Sequence, residues 1–278
     1  MGRLILLRIL ALSICLLVLK VNGTSQDSTL QARLVLDLGV GIGDFTADNL
    51  GNLYLLSASG QIKKLNERGD SVAVFNDVRK HGKIFSIDAT NPLKVLVYYK
   101  DFATILVLDR LMNVRNSIDL RKLNMFQVRA VTASYDNNIW LFDELESKLK
   151  KIDDNGNVLL QTADFRQLYD SVPRPELMYD RDGQVYLYDR QRGLLIFDYY
   201  GAQKNNIALK QVLDLQVADK NFVSGRLNNR ILLYRPSMLQ LNYYDVSPPL
   251  VDVKKIAFSN GRLCVLTNAG SLRIYQTH

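Results

Sequence analysis

An all-β fold made of a repeated unit is predicted for this 278-residue chain by three observations. Past residue 30 the apolar residues fall in short runs, rich in β-branched and aromatic types and bounded by Asp, Asn and Gly, which is how strands read. A four-residue motif recurs through the chain: Phe45-Thr-Ala-Asp48, Phe85-Ser-Ile-Asp88, Val131-Thr-Ala-Ser134, Leu177-Met-Tyr-Asp180, Leu215-Gln-Val-Ala218 and Ile256-Ala-Phe-Ser259. Its successive starts lie 40, 46, 46, 38 and 41 residues apart. Beyond the N-terminal segment no window carries a sustained helical stripe. A period near forty with four strands per unit is the pattern of propeller blades, and six units predict a six-bladed β-propeller. A hydrophobic share of 47% and a charged share of 23% place the chain among globular rather than disordered proteins.

From the N-terminus, residues 1–23 read as a cleaved secretory signal. Arg3 and Arg8 make a basic start, and the apolar run Ile9–Leu19, broken by Ser13, is about half of the ~20 residues a bilayer span needs. Val21 and Gly23 fit the small-residue pattern before a cleavage site, with Gly23 the last residue lost and Ser25 the alternative. An uncleaved anchor is the competing reading, disfavoured because Lys20 closes the apolar run early. A lipoprotein reading through Cys15 fits less well, because the bulky Ile14 precedes it. Cleavage removes Arg3, Arg8 and Lys20 and no acid, so 35 basic residues become 32 against 28 acids, and the formal charge falls from +7 to +4. It also removes Cys15 and leaves Cys264 alone, so an exported chain must be stable without a disulfide. No later apolar stretch reaches ~18 residues, and no transmembrane segment is expected in the mature chain.

Residues 24–31 are expected to be a short linker and 32–278 the propeller. Ala32–Leu38 reads as a strand without a unit of its own. Within each unit two turns repeat. One follows the first strand, as in Asp48-Asn-Leu-Gly51 and Asp180-Arg-Asp-Gly183. The other follows the third, as in Asn66-Glu-Arg-Gly69, Asp153-Asp-Asn-Gly156 and Asp198-Tyr-Tyr-Gly201. Asp and Asn bond their own backbone in such turns, and Gly supplies positive φ. The last unit has three strands, at 254–259, 262–267 and 271–276. The strand at Ala32 is expected to complete it, so that the two ends of the chain close the ring and leave no open edge.

The Asp-x-x-Gly-Asn-x-Tyr and Asp-x-x-Gly turns resemble those of the six-bladed NHL, YVTN and TolB-like propeller superfamily over residues 32–278. The chain is also similar in style to uncharacterised exported propellers of Bacteroidota. The Gly-His and Trp-Asp signatures of WD repeats, the kelch double glycine and the sialidase box are missing. The resemblance implies a fold and a habit of binding partners, and it carries no activity across.

Chemistry-bearing residues are scarce. Related six-bladed enzymes are implied, by resemblance, to hold a metal in the channel through inward Glu, Asn, Asp or His. Here the two His are His81, expected in a solvated loop, and the terminal His278. That count argues against a His-ligated metal and a His-dependent triad, and no Gly-x-Ser-x-Gly elbow is present. Cys264 aligns with Tyr54, Trp140 and Tyr186 of other units and is expected to pack between blades. No cofactor is expected.

Charge is the feature with functional promise. In a propeller the inter-blade links and the second-to-third-strand loops share one face. The links carry Arg79, Lys80, Lys83, Arg121, Lys122, Arg129, Arg166, Arg174, Lys210, Lys254 and Lys255 against Asp77, Asp170 and Asp252, with Glu176 at a boundary. The opposite face collects Asp48, Glu67, Asp70, Asp88, Asp136, Asp153, Asp154, Asp180, Asp182 and Asp198. Such a field steers an anionic partner to one face, although turn chemistry alone also accounts for the acids. Phe102, Phe126 and Tyr169 are candidate apolar anchors among the cations. The leading expectation is therefore an exported, non-enzymatic propeller of the periplasm or cell envelope. It would bind a protein or envelope component through Arg79, Lys80, Lys83, Arg121, Lys122, Arg129, Arg166 and Arg174. Nucleic acid is not an expected partner. The alternative is a calcium-dependent hydrolase or lyase with oxygen ligands in the channel, and a third reading is a carbohydrate or small-ligand sensor.

Overall fold

The alternating runs become strands throughout the computed structural model, which describes residues 28–277. The expected signal segment, 1–23, and His278 lie outside the described residues. A first strand, β1, runs over Ser28–Asp37. A four-stranded sheet follows from β2 (Ile42–Ala47), β3 (Leu53–Ser57), β4 (Ile62–Leu65) and β5 (Ser71–Phe75). The next is β6 (Ser86–Asn91), β7 (Lys94–Tyr99), β8 (Thr104–Asp109) and β9 (Val114–Asp119). Then come β10 (Val128–Ala133), β11 (Ile139–Asp143), β12 (Lys148–Ile152) and β13 (Val158–Gln161), and after them β14 (Leu177–Arg181), β15 (Gln184–Asp189), β16 (Gly193–Asp198) and β17 (Gln203–Ile207). All four sheets are antiparallel meanders in chain order. The remaining strands are β18 (Leu213–Asp219), β19 (Phe222–Leu227), β20 (Arg230–Arg235), β21 (Gln240–Ser247), β22 (Val253–Ser259), β23 (Arg262–Thr267) and β24 (Leu272–Thr277). With β1 they make one eight-stranded sheet, in the order β18-β19-β20-β21-β1-β24-β23-β22.

β1 is the joint in that sheet. Ala32–Asp37 pairs antiparallel with β24, as the sequence leads one to expect. Ser28–Gln31 pairs parallel with Tyr244–Ser247 of β21. This corrects the expected linker: from Ser28 onward residues 24–31 are strand. Alternation extends only weakly into Ser28-Thr-Leu-Gln31, so the partner strand, whose paired residues lie 216 positions on, decides its conformation.

The first strands of successive units touch in the order β2, β6, β10, β14, β18, β22 and back to β2, which closes a ring. Apolar clusters fill the spaces between neighbouring sheets. Trp140, Phe142 and Phe165 pack on Val185, Leu187 and Phe197, for example, and Tyr54 and Ile62 pack on Val95 and Val97. Burying a large side chain of this kind contributes about 1.5–3 kcal/mol, so the sheets adhere through their faces rather than through a single central core. Cys264 is buried with Phe45, Leu266 and Ile274, and burial pushes its thiol up to about 12.

The turn after the third strand has one geometry in four units. The side chain of Asn66, Asp109, Asp153 or Asp198 accepts from the backbone N–H groups two and four residues on. The fourth residue takes positive φ: Gly69, Gly156 and Gly201, but Met112 in the second unit. Among the described residues the links add two four-residue α-helices that the sequence pattern did not indicate, α1 (Val78–His81) and α2 (Phe165–Leu168), and a 3-10 turn at Leu120–Leu123. His81 is not the solvated loop residue expected. It is half-buried, with Nδ1 2.9 Å from Asp77 Oδ2 and its ring centroid 5.2 Å from that of Tyr99. Among the described residues, no helix is long and apolar enough to cross a membrane.

Candidate functional site: the channel and the link face

The first strands line a central cavity of ≈ 1110 Å³ that runs between the face of the links and the face of the first turns. Four carboxylates on it are spent on joining neighbouring sheets, and a fifth, Asp48, on its own turn. Asp88 Oδ2, on β6, accepts from Thr132 Oγ1 (2.6 Å) and the Ala133 N–H (2.7 Å) of β10. Asp180, on β14, takes four donors: Ser134 Oγ (2.7 Å), Trp140 Nε1 (3.0 Å) and the Tyr135 N–H (3.4 Å) on Oδ2, and Tyr199 OH (2.6 Å) on Oδ1. Asp214, on β18, accepts from Arg226 Nε (3.0 Å) and from the Ile256 N–H (3.1 Å) of β22. Asp44 pairs with Lys255 at 2.7 Å across the β22–β2 joint. Asp48 caps its own turn through the Leu50 and Asn52 N–H groups and accepts from Tyr54 OH at 3.1 Å.

Burial, and then the neighbouring carboxylate, push the phenols of Tyr54 and Tyr199 well above the ordinary tyrosine range, so both stay protonated donors. Burial does the same to Tyr179, whose OH donates to the Leu215 carbonyl at 2.6 Å. These buried, satisfied networks explain Asp88 and Asp180 as fasteners between sheets. The sequence reading of them as turn-face acids missed that role. Among the described residues, no group of three or more His, Cys, Asp and Glu is placed to hold a metal ion.

The two ends of the cavity differ. At the turn face Arg181 Nη2 reaches from β14 to Thr90 Oγ1 on β6, 3.4 Å away, past the intervening β10. Its guanidinium also donates to the Asp180 carbonyl at 2.7 Å and lies over the Tyr179 ring. At the link face Lys100, Arg129 and Arg190 line the mouth, with Phe85. Arg129 Nη1 pairs with Glu144 at 2.7 Å, and Arg190 Nη2 with Glu176 at 2.8 Å.

Of the eight cations singled out from sequence, Arg129 alone is on the channel wall. Lys80, Lys83, Arg121, Lys122, Arg166 and Arg174 are exposed on the links, and Arg79 carries no described side chain. Acids sit beside three of them: Arg121 meets Asp119 at 3.1 Å, Arg166 meets Asp164 at 2.6 Å, and Arg129 meets Glu144. The link face is thus less one-sided than a count of its cations suggests. The acids of the turn face are likewise partly neutralised: Asp136 by Lys151, Asp198 by Lys204, Glu67 by Arg262 and Asp154 by Lys94. Lys80, Lys83, Lys122 and Arg174 make no ion pair among the described residues. Phe102 and Phe126, in loops of the same face, are 42% and 53% exposed, whereas Tyr169 is half-buried against Phe165 and under Arg192.

Lys100 and Arg190 escaped the sequence reading, though a signal existed. Each is the residue after a second strand, following Tyr99 and Asp189, in a loop type that shares the link face.

No protein-family model matches this sequence. No curated protein matches it either. Among solved structures the chain is similar to virginiamycin B lyase from Staphylococcus aureus, at 10% identity and a TM-score of 0.59 over 89% of this chain and 99% of that one. It is also similar to the Cps50 (Swd1) β-propeller domain of Myceliophteria thermophila, at 7% identity and 0.58 over 88% and 99%. A chain of the mitotic checkpoint complex matches at 11% identity and 0.54 over 84% and 74%. At such identities the likeness shows the fold alone, and the fold is a β-propeller.

Proposed function

We propose that this chain is a non-enzymatic binding propeller that docks a protein or envelope partner on its link face. The observation that carries the reading is that the loops of one face hold the exposed cations Lys80, Lys83, Lys122 and Arg174, which make no ion pair among the described residues, and the exposed rings of Phe102 and Phe126. Exposed aromatics supply contact area, and cations around them supply orientation and encounter rate. The channel, where propeller enzymes keep their ligands, has its carboxylates committed to donors of the neighbouring sheets or of their own turns and loops, which weighs against the oxygen-ligand calcium hydrolase. In this reading the eight-stranded sheet counts as two blades bridged by β1, so the ring has six, in keeping with the NHL, YVTN and TolB-like resemblance. Residues 1–23 direct export, and the protein acts in the periplasm or envelope.

Crosslinking in intact cells followed by affinity capture tests it. Replacing Lys80, Lys83, Lys122 and Arg174 by Glu should abolish capture while the melting temperature stays near that of the unsubstituted chain. A four-residue reversal on the turn face should leave capture intact. Unchanged capture with the link-face variant sinks the assignment of this face.

A further inference from the structure

The mouth of the channel on the link face gathers cations from three neighbouring sheets. Lys100 follows β7, Arg129 lies on β10 and Arg190 follows β15, and all three line the cavity. Each arginine is gripped by its glutamate through a single terminal nitrogen. The Nε of each is buried without a hydrogen-bond partner in the protein. A guanidinium has five donors in a planar fork. Those two nitrogens are closed to solvent and so to a ligand; the donors open at the mouth are the terminal nitrogen of each guanidinium that its glutamate leaves free, together with Lys100 Nζ. Lys100 Nζ stands 4.9 Å from the centroid of Phe85, a ring 49% exposed at the same mouth. The far end is bridged by Arg181 and Thr90, so access is from the link face.

We propose that this mouth receives an acidic peptide segment of the partner, its carboxylates held by Arg129, Arg190 and Lys100 and its stem packed on Phe85. The proposal rests on the docking reading above and names what enters the channel. A carboxylate at the free terminal nitrogen of either arginine makes a charge-assisted hydrogen bond. A cavity of ≈ 1110 Å³ exceeds the usual ~300–1,000 Å³ of small-molecule pockets, which favours a length of chain over a single small ligand.

The test is fluorescence anisotropy of labelled hexaglutamate against the folded chain, with hexaglutamine and inorganic phosphate as comparators. Hexaglutamate should bind saturably and hexaglutamine should not. The double variant Arg129→Gln, Arg190→Gln should weaken binding by about tenfold or more, the scale set by losing charge-assisted pairs. The single variant Arg190→Gln guards against loss of folding, and Arg190→Lys should recover part of the affinity. The turn-face pair Arg110→Gln, Lys220→Gln should leave it within about twofold, because neither residue faces the mouth. Absence of hexaglutamate binding, equal weakening by the turn-face pair, or displacement by inorganic phosphate at equal concentration overturns the proposal. The docking reading fails separately. Capture that survives the link-face reversal, with hexaglutamate still dependent on Arg190, removes that reading and leaves the channel site.

Discussion

Asp180 shows how one side chain replaces an apolar contact as the fastener between two sheets. Four donors from the preceding sheet and its own converge on it; Ser134 and Trp140 are buried and Tyr199 is half-buried, so those side chains have little other access to water. Asp180→Ala strands those donors, which should cost about 2–4 kcal/mol, whereas Asp180→Asn keeps acceptors for some and should cost less. Chemical denaturation of the two variants measures this, and equal losses would count against the network as the cause. Asp136 makes a second case at this scale. Burial tends to raise its carboxyl, but hydrogen bonds from Lys151, Ser134 and Asn138 outweigh it and hold the group at about 2. A carboxyl lowered from 3.8 in the unfolded chain contributes stability that is complete above 3.8 and lost as pH falls towards 2. Thermal melts should therefore be level from about pH 6 to 4 and decline below that, and Asp136→Asn should flatten part of the decline. An unaltered slope in the variant removes Asp136 from the explanation.

At the scale of the element, β1 is a strand whose two halves serve different partners. Its C-terminal half completes the last meander, and its N-terminal half lies on β21 of the meander before, within the same eight-stranded sheet. A chain beginning at Leu38 would expose the edges of both β21 and β24, and unpaired edges invite association. We expect its melting temperature to fall by on the order of 10 °C relative to a chain beginning at Ser28, with oligomers visible by light scattering. A truncated chain that melts alike and stays monomeric would show that β1 is not the joint. The strands themselves were largely legible in the sequence, because alternation of apolar residues and Asx–Gly turns are local signals. The parallel pairing of Ser28–Gln31 was not, since nothing within those residues says which distant strand they meet. The two short helices escaped for a related reason: four residues such as Phe165–Leu168 are too few for a 3.6-residue period to register.

Across the whole molecule, ring closure joins residues far apart in the chain. Lys254 donates to the Gly43 carbonyl at 2.6 Å and Arg273 meets Asp37 at 3.3 Å, across 211 and 236 positions. The same closure sorts the loops into two faces, and charge on the link face belongs to this scale. Partner capture through Lys80, Lys83, Lys122 and Arg174 should weaken as ionic strength rises from about 0.05 to 0.5 M, since the Debye length shrinks well below the spacing of exposed charges. Capture indifferent to salt would point to the aromatics alone. By itself the sequence determined the all-β class, the repeat, the turns and the burial of Cys264, because each follows from periodicity and local backbone chemistry. Only the tertiary structure decided which charges remain available. Arg121 and Arg166 are tied by acids two residues earlier in the chain, Arg129 by Glu144 just past the neighbouring strand, and Asp88 and Asp180 by donors some 45 positions distant. The strength of a charge is set by what stands within a few ångströms of it: an acid in the same turn for Arg121 and Arg166, the adjacent hairpin for Arg129, and the next sheet for Asp88 and Asp180.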